Sequence, residues 1–234
     1  MGRKVITFSF DDGVEDDIRL VEMFNKYGIK STFNLNSGQL TCDVKWRYRD
    51  QKDVIRLNYY DSQHLYDGHE IACHSYTHPH LENMEKEDMD NQIRLDKYLL
   101  ERLYGGEMRG MAYPFGTYND TVIEVLREIG MEYGRTTKST YDFKFPEEPL
   151  TWHPTCRFTD EKRMELAQAF FDAEAEEDML FYIWGHSYEL ITEEDWAEFE
   201  AFCEFISGRE DILYCTNIEA LDLKKRNLGE KNRC

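Results

Sequence analysis

Val5-Ile6-Thr7-Phe8-Ser9-Phe10-Asp11-Asp12-Gly13 is a short apolar run that ends in two adjacent aspartates. Its length and its Val, Ile and Phe content predict a buried strand. At the carboxyl end of such a strand the two carboxylates would lie close together, and two like charges there require a cation. An Asp-Asp-Gly sequence is also common in simple turns, so this stretch alone leaves both interpretations open.

A second polar stretch supplies further candidate ligands. In His74-Ser75-Tyr76-Thr77-His78 the two imidazoles are four residues apart, so one helical turn or a tight loop can direct both at one point. Like Asp11 and Asp12, this stretch follows an apolar segment, and α/β proteins assemble their sites at the carboxyl ends of strands. Together the two stretches predict a metal site of two histidines and one aspartate, with the other aspartate available as a base.

Strand and helix signals alternate along the rest of the chain. Strands are predicted over 31–36, 70–74, 108–113, 131–137, 180–187 and 212–217, and helices over 14–27, 82–104, 119–129, 161–175 and 192–206. Repeated strand-then-helix units favour parallel pairing with right-handed crossovers. About seven such units predict a single α/β domain, a barrel short of the usual eight. The aromatic-rich stretch over 37–66 is too long for a simple connection and predicts an insertion beside the site, with some helix of its own.

Composition narrows the class of partner. Forty-seven acidic residues against 28 basic ones give a net charge of −19, which disfavours nucleic acid or an anionic membrane surface and suits a neutral or cationic substrate. The six cysteines show no C-x-x-C spacing and are interpreted as reduced thiols. No apolar leader and no stretch of about 20 apolar residues is present, so we predict a cytoplasmic protein without a membrane span.

Four segments stand in a recognisable order: 7–13, 68–79, Ala112-Tyr113-Pro114-Phe115-Gly116-Thr117-Tyr118 and Trp184-Gly185-His186. In this order they resemble the motifs of the NodB-type polysaccharide deacetylases, carbohydrate esterase family 4. The resemblance covers most of the chain. It implies a distorted (β/α)7 barrel, which agrees with the count of strand-helix units.

The resemblance also implies a role for each site residue. Asp12, His74 and His78 would hold a divalent metal ion, Asp11 would act as general base for water at the metal, and His186 would act as general acid. Two imidazoles and a carboxylate suit zinc, with cobalt, nickel or iron as alternatives. The backbone N–H of Phe115 would stabilise the oxyanion. The candidate substrate-binding residues are Tyr113, Pro114, Phe115, Trp152 and His153.

The chain departs from the family pattern at two places. Ala112 stands where many members carry an arginine that pairs with the base, and we hypothesise that Arg135 reaches the same carboxylate. The Asp-x-x-Asp-Trp motif is absent, and Trp152-His153-Pro154 is the candidate for a substrate wall in its place. These departures bear on polymer specificity more than on metal-dependent hydrolysis.

The sequence therefore predicts a metal-dependent hydrolase that removes an acetyl group from an N-acetylated sugar or polysaccharide. One alternative is hydrolysis of another C–N bond, in a small amide, ureide or formamide, with the 37–66 insertion closing a small pocket. Another is a non-catalytic carbohydrate-binding protein that has kept the barrel. The presence of both a candidate base and a candidate acid argues against pure binding.

Overall fold

A computed structural model describes residues 2–41 and 45–231, with side chains described as far as residue 226. The strands are β1 (Lys4–Asp11), β2 (Ser31–Leu35), β3 (Lys45–Tyr48), β4 (Lys52–Ile55), β5 (Glu70–Cys73), β6 (Gly110–Ala112), β7 (Tyr133–Arg135), β8 (Cys156–Arg157), β9 (Met179–Gly185) and β10 (Ile212–Tyr214). The α-helices are α1 (Asp16–Tyr27), α2 (Tyr59–Ser62), α3 (Lys86–Tyr104), α4 (Asp120–Ile129), α5 (Arg163–Asp172), α6 (Glu193–Ile206) and α7 (Asn217–Lys231).

Eight of these strands form one curled parallel sheet. Its order is β7-β6-β5-β2-β1-β9-β8, and β10 pairs with the start of β1. Trp152 forms a parallel bridge with Arg135 of β7, while Cys156 of β8 pairs with Ile183, so residues 152–157 span the two ends of the sheet. The predicted α/β barrel is confirmed. Because the eight strands of this sheet are all parallel, their carboxyl ends share one rim.

Strand β1 runs through the middle of the sheet, and all eight of its residues are buried. Phe8 and Phe10 point outward and pack on Phe24 of α1, with ring centroids 5.0 and 5.7 Å away. The alternation of side chains along a strand therefore turns Ser9 and Asp11 toward the barrel interior. Asn34 of β2 donates a 2.8 Å hydrogen bond to each of these inward residues. The hydrophobic pattern of β1 thus delivers the carboxylate of Asp11 to the inside of the rim.

The stretch over 37–66 holds more strand than the sequence predicted. It contains a 3-10 turn at Ser37–Gln39, the antiparallel hairpin of β3 and β4, and the four-residue helix α2. Trp46 and Tyr48 of the hairpin pack edge-on against Tyr188, with ring centroids 5.3 and 5.0 Å away. The hairpin therefore lies against residues that follow β9.

Several predicted elements are shorter than expected. The helix predicted over 82–104 begins only at Lys86, because a separate 3-10 turn forms at Leu81–Asn83. The strand predicted over 108–113 is reduced to β6, since Tyr113 leads directly into the 3-10 turn Pro114–Gly116. Phe115 in that turn has φ of 59°, a conformation that cannot continue a strand.

Two further features concern the cysteines and the helices. Cys73, Cys156, Cys203 and Cys215 are buried free thiols, while Cys42 and Cys234 lie outside the described residues. Among the helices that the structure describes, none combines the length and the apolar character needed to cross a bilayer.

Candidate metal centre

Asp12, His74 and His78 meet at the carboxyl rim of the barrel. The Nε2 atoms of both histidines lie 4.0 Å from Oδ1 of Asp12, and one donor atom from each residue lies within 4.8 Å of the other two. Asp12 and His74 are buried and His78 is half-buried. One ion placed between donor atoms at this spacing could bind all three at about 2 Å.

The two histidines are directed by a tight loop rather than by a helix. Ser75 and His78 have φ of 64° and 60°, left-handed values that non-glycine residues seldom adopt. Asn36 holds the start of the loop, since its Nδ2 donates to the carbonyls of His74 and Ser75 at 2.5 and 2.8 Å. The carboxylate of Asp96 accepts from the backbone N–H of His74 at 3.0 Å. The four-residue spacing in the sequence therefore becomes two imidazoles aimed at one point.

The protonation states of the three residues suit a cation. Nδ1 of His74 donates to the carbonyl of Ala112 at 2.8 Å, which leaves the lone pair of Nε2 facing Asp12. Burial lowers the pKa of His74 to about 4 and also lowers the pKa of His78, so both rings are neutral. Burial opposes the charge of Asp12, but Arg56 and the histidines outweigh it and hold the pKa of this carboxyl well below its usual range. Two neutral imidazoles and one carboxylate fit a divalent ion.

Asp11 lies beside this donor set and is only 3% exposed. The guanidinium of Arg135 contacts both of its carboxylate oxygens. Burial raises the pKa of Asp11, but Arg135 and then His74 outweigh burial, and the net pKa is lowered. Ala112 and Arg135 are paired neighbours on β6 and β7, so an arginine at either position can approach the same carboxylate. This register explains how Arg135 reaches the site although Ala112 offers no cation.

His186 follows β9 and faces the two aspartates. Its Nε2 lies 3.8 Å from Oδ2 of Asp11 and 3.8 Å from Oδ2 of Asp12. Its Nδ1 lies 2.5 Å from Oε1 of Glu189, which also pairs with Arg157. Burial lowers the pKa of His186, but the hydrogen bond to Glu189 and the aspartates outweigh it, and the net pKa is raised. Sequence reasoning missed Glu189, although its position three residues after His186 is a spacing at which side chains in a helical turn meet.

A cavity of about 450 Å³ opens above these groups. Besides the two aspartates and three histidines, it is lined by Tyr113, Phe115, Thr137, Arg157, Trp184 and Tyr188. Phe115 is 51% exposed, and its ring stacks on His80 at a centroid distance of 3.8 Å. Pro114 is buried in the turn that presents Phe115. The cavity is thus polar and charged at its base and aromatic along its walls.

Three predicted substrate residues, Pro114, Trp152 and His153, do not line this cavity. Trp152 is 1% exposed, and its indole packs edge-on against Tyr133 and Tyr182, at centroid distances of 5.7 and 5.0 Å. It is held in the barrel interior because its backbone bridges to β7. His153 lies beside Thr136, whose Oγ1 is 2.6 Å from Nδ1. The structure therefore does not bring Trp152 and His153 into this cavity, and the buried indole of Trp152 presents no face to a ligand there.

The family model described as polysaccharide deacetylase matches residues 1–134. The chain belongs to the polysaccharide deacetylase family. Peptidoglycan-N-acetylglucosamine deacetylase PgdA of Listeria monocytogenes is 24% identical over 144 residues, 61% of this chain and 27% of that relative. A bifunctional xylanase/deacetylase of Pseudobutyrivibrio xylanivorans is 25% identical over 123 residues, 52% of this chain and 18% of that relative. The chain thus spans well under half the length of these two polysaccharide deacetylase relatives.

Solved structures share the fold at low identity. Peptidoglycan deacetylase PdaC from Bacillus subtilis aligns with a TM-score of 0.62 and 17% identity, over 99% of this chain and 96% of that one. BA3943, a family 4 pseudoenzyme from Bacillus anthracis, aligns with a TM-score of 0.56 and 16% identity, over 93% of this chain and 65% of that one. Because a pseudoenzyme shares the polysaccharide deacetylase fold, the fold alone does not decide activity, and the site residues must carry that argument.

Proposed function

We propose that this chain is a metal-dependent hydrolase that removes the acetyl group from an N-acetylated sugar or polysaccharide. The observation that carries the proposal is that a candidate base and a candidate acid, with pKa values shifted in opposite directions, lie beside the same three candidate metal ligands. Arg135 lowers the pKa of Asp11 and the hydrogen bond to Glu189 raises the pKa of His186, with 3.8 Å between His186 Nε2 and Asp11 Oδ2. A base and an acid with pKa values pushed apart are what amide hydrolysis requires of its two proton carriers.

Each residue has a defined part in the proposed reaction. Asp11 accepts a proton from the water that attacks the carbonyl carbon, and His186 donates a proton to the nitrogen as the C–N bond breaks. The products are acetate and a free amine. An ion held by Asp12, His74 and His78 would supply Lewis acidity at this point. Oxyanion stabilisation by the N–H of Phe115 is part of the same proposal.

We assign the ion as zinc on the basis of its ligands, with cobalt, nickel or iron as substitutes. Imidazole nitrogen suits all four metals, whereas an all-oxygen site would have favoured magnesium or calcium. The carbohydrate assignment draws support from the relatives, and the net charge of −19 is compatible with a neutral or cationic glycan. The half-exposed ring of Phe115 at the cavity mouth offers a surface on which a sugar ring can stack.

One assay distinguishes the proposed activity from the two alternatives that the sequence left open. Acetate and formate release should be measured on N-acetylglucosamine oligomers, small amides, ureides and formamides, with the metal-loaded protein and after chelation. We expect acetate release from the oligomers that chelator abolishes and zinc restores. Turnover of small amides alone would favour the other C–N hydrolase. No release from any compound at full metal occupancy would favour the non-catalytic binding protein.

A further inference from the structure

Arg56 contacts the aspartate ligand at two points. One nitrogen of its guanidinium donates to the backbone carbonyl of Asp12, and the other donates to Oδ1 of Asp12 at 3.0 Å. Asp12 has φ of 88°, a backbone conformation that is strained for a residue with a side chain. One buried guanidinium therefore fixes both the unusual backbone and the carboxylate direction of the same residue.

Asn36 extends this contact to the histidine loop. The guanidinium nitrogen that contacts the Asp12 carbonyl also donates to Oδ1 of Asn36 at 3.0 Å. Nδ2 of Asn36 donates in turn to the carbonyls of His74 and Ser75. Asn36 is fully buried, so these bonds do not compete with solvent. A continuous series of hydrogen bonds thus joins the aspartate ligand to the loop that carries both histidines.

The insertion over 37–66 supplies and anchors Arg56. Arg56 forms an antiparallel bridge with Val14, and the N–H of Leu57 donates to the carbonyl of Gly13 at 2.9 Å. The indole of Trp46 on β3 lies 5.1 Å from the guanidinium carbon. The side chain is therefore held between the hairpin and the segment that follows β1. The planar guanidinium of Arg56 donates hydrogen bonds from two nitrogens in this position, which the single ammonium of a lysine cannot reproduce.

We propose that Arg56, acting with Asn36, is a positioning residue that holds Asp12 and the histidine loop at metal-ligand spacing, so that the insertion sets the affinity of the site for its ion. The inference rests on the proposed function only in requiring that the site bind a divalent ion. Loss of a group that orients a metal-ligating side chain commonly lowers metal affinity by about 10- to 100-fold. The insertion, on this view, completes the metal site as well as flanking it.

The test is a titration of the metal-free full chain with zinc, followed by calorimetry, and with cobalt, followed by its visible absorption. We expect Arg56→Met to weaken zinc binding by about 10- to 100-fold and to alter the cobalt spectrum. Arg56→Lys, which keeps the charge but not the planar guanidinium, should weaken binding nearly as much. Arg47→Met is the matched control, because Arg47 lies on the same hairpin, is exposed and pairs with exposed Asp53. It should bind zinc like the wild type.

Several outcomes would overturn the inference. Wild-type or tighter zinc affinity in Arg56→Met would mean that the guanidinium does not position the ligands. Wild-type affinity in Arg56→Lys would assign the effect to charge, and this variant also serves if Arg56→Met does not fold, as judged by circular dichroism. A wild-type chain that binds no ion would end this inference and the proposed function together. Binding that is lost in His74→Ala but unchanged in both Arg56 variants would end this inference alone.

Discussion

Glu189 accepts a hydrogen bond from Nδ1 of His186 across 2.5 Å. Burial raises the pKa of Glu189, but His186 and Arg157 outweigh burial and lower it, so the carboxylate acts only as an acceptor. The bond therefore places a proton on Nδ1 and turns Nε2 toward Asp11. Glu189 is 8% exposed, and Arg157 contacts the same carboxylate oxygen, Oε1. This contact orients the proposed acid and raises its pKa.

Glu189→Gln should lower kcat/KM and move the basic limb of its pH profile to lower pH. Glu189 raises the pKa of His186, so its removal lets burial lower that pKa. The protonated acid is then lost earlier as the pH rises. We expect a loss of about 100-fold near neutral pH, within the usual contribution of a general acid. The measurement is kcat/KM for acetate release from pH 5 to 9.

The matched control for this change is Glu193→Gln. Glu193 lies four residues beyond Glu189, is exposed and pairs with Arg19 on the surface. It should leave the pH profile unchanged. A Glu189→Gln profile that only drops in height, with its basic limb in place, would mean that Glu189 does not set the charge of His186.

Asp11→Asn should abolish most turnover and leave the metal bound. The amide keeps the shape of the carboxylate but cannot take a proton from water, so we expect kcat to fall by about 10²- to 10⁴-fold. Asp12, His74 and His78 remain in place, and the protein should still hold one ion per chain by elemental analysis. Activity close to that of the wild type would remove Asp11 from the role of base.

His74→Ala should lose the ion together with the activity. His74 is buried, and its Nε2 lone pair is fixed by the bond from Nδ1 to the carbonyl of Ala112. Two remaining ligands are too few for a stable zinc site. His64→Ala is the control, because the His64 side chain is 79% exposed and lies outside the cavity. Stoichiometric zinc in His74→Ala would contradict the proposed ligand set.

Arg135→Met should destabilise the fold. Arg135 is fully buried, and its removal leaves the carboxylate of Asp11 as an uncompensated buried charge. Breaking a buried pair in this way costs about 3 to 5 kcal/mol. The pKa of Asp11 should then rise, because burial is no longer opposed by the guanidinium. The free energy of unfolding, measured in urea at neutral pH, is the readout.

The double variant Arg135→Met, Asp11→Asn isolates the charge effect. It removes both charges, so it should unfold at a higher urea concentration than Arg135→Met alone. A double variant that is less stable than either single change would show that Arg135 stabilises the barrel through packing, for example on Trp184, rather than through Asp11.

The sequence predicted the residues at strand ends because a physical rule connects them. Asp11 is the last residue of β1, His74 and His186 directly follow β5 and β9, and the carboxyl ends of parallel strands converge. Arg56 and Glu189 are different, since one comes from an insertion without clear periodicity and the other from a short turn. Their partners are set by tertiary packing, which no local pattern records. Trp152 was misplaced for a related reason, because its sequence does not say which side of the barrel wall its indole faces.

The missed hairpin has a local explanation. Two-residue hairpin turns with positive φ usually carry Asn-Gly or Asp-Gly. The loop between β3 and β4 instead has three residues, 49–51, none of them glycine, and Arg49 and Asp50 have φ of 49° and 55°. Without glycine the stretch gave no hairpin signal, and only its aromatic content marked it as an ordered insertion.

Asp17→Asn should flatten the dependence of stability on pH between about 4 and 7. Asp17 is fully buried, and its carboxyl lies 2.5 Å from the hydroxyl of Ser187 and 2.8 Å from that of Tyr66. Burial raises the pKa of Asp17 from 3.8 to about 7. The native state therefore holds this proton more tightly than the unfolded chain does. The resulting stabilisation is complete below the unfolded pKa and is lost as the pH rises through the native one.

The measurement is the free energy of unfolding of the wild type minus that of Asp17→Asn, taken at intervals from pH 4 to 8. The difference should shrink as the pH rises, by at most roughly 4 kcal/mol at 1.4 kcal/mol per pKa unit. Glu22→Gln, an exposed position on the same helix, is the control and should give a difference that does not change with pH. A wild-type advantage that instead grows toward pH 8 would mean that the hydroxyls of Ser187 and Tyr66 keep Asp17 ionised, since both can donate to a carboxylate.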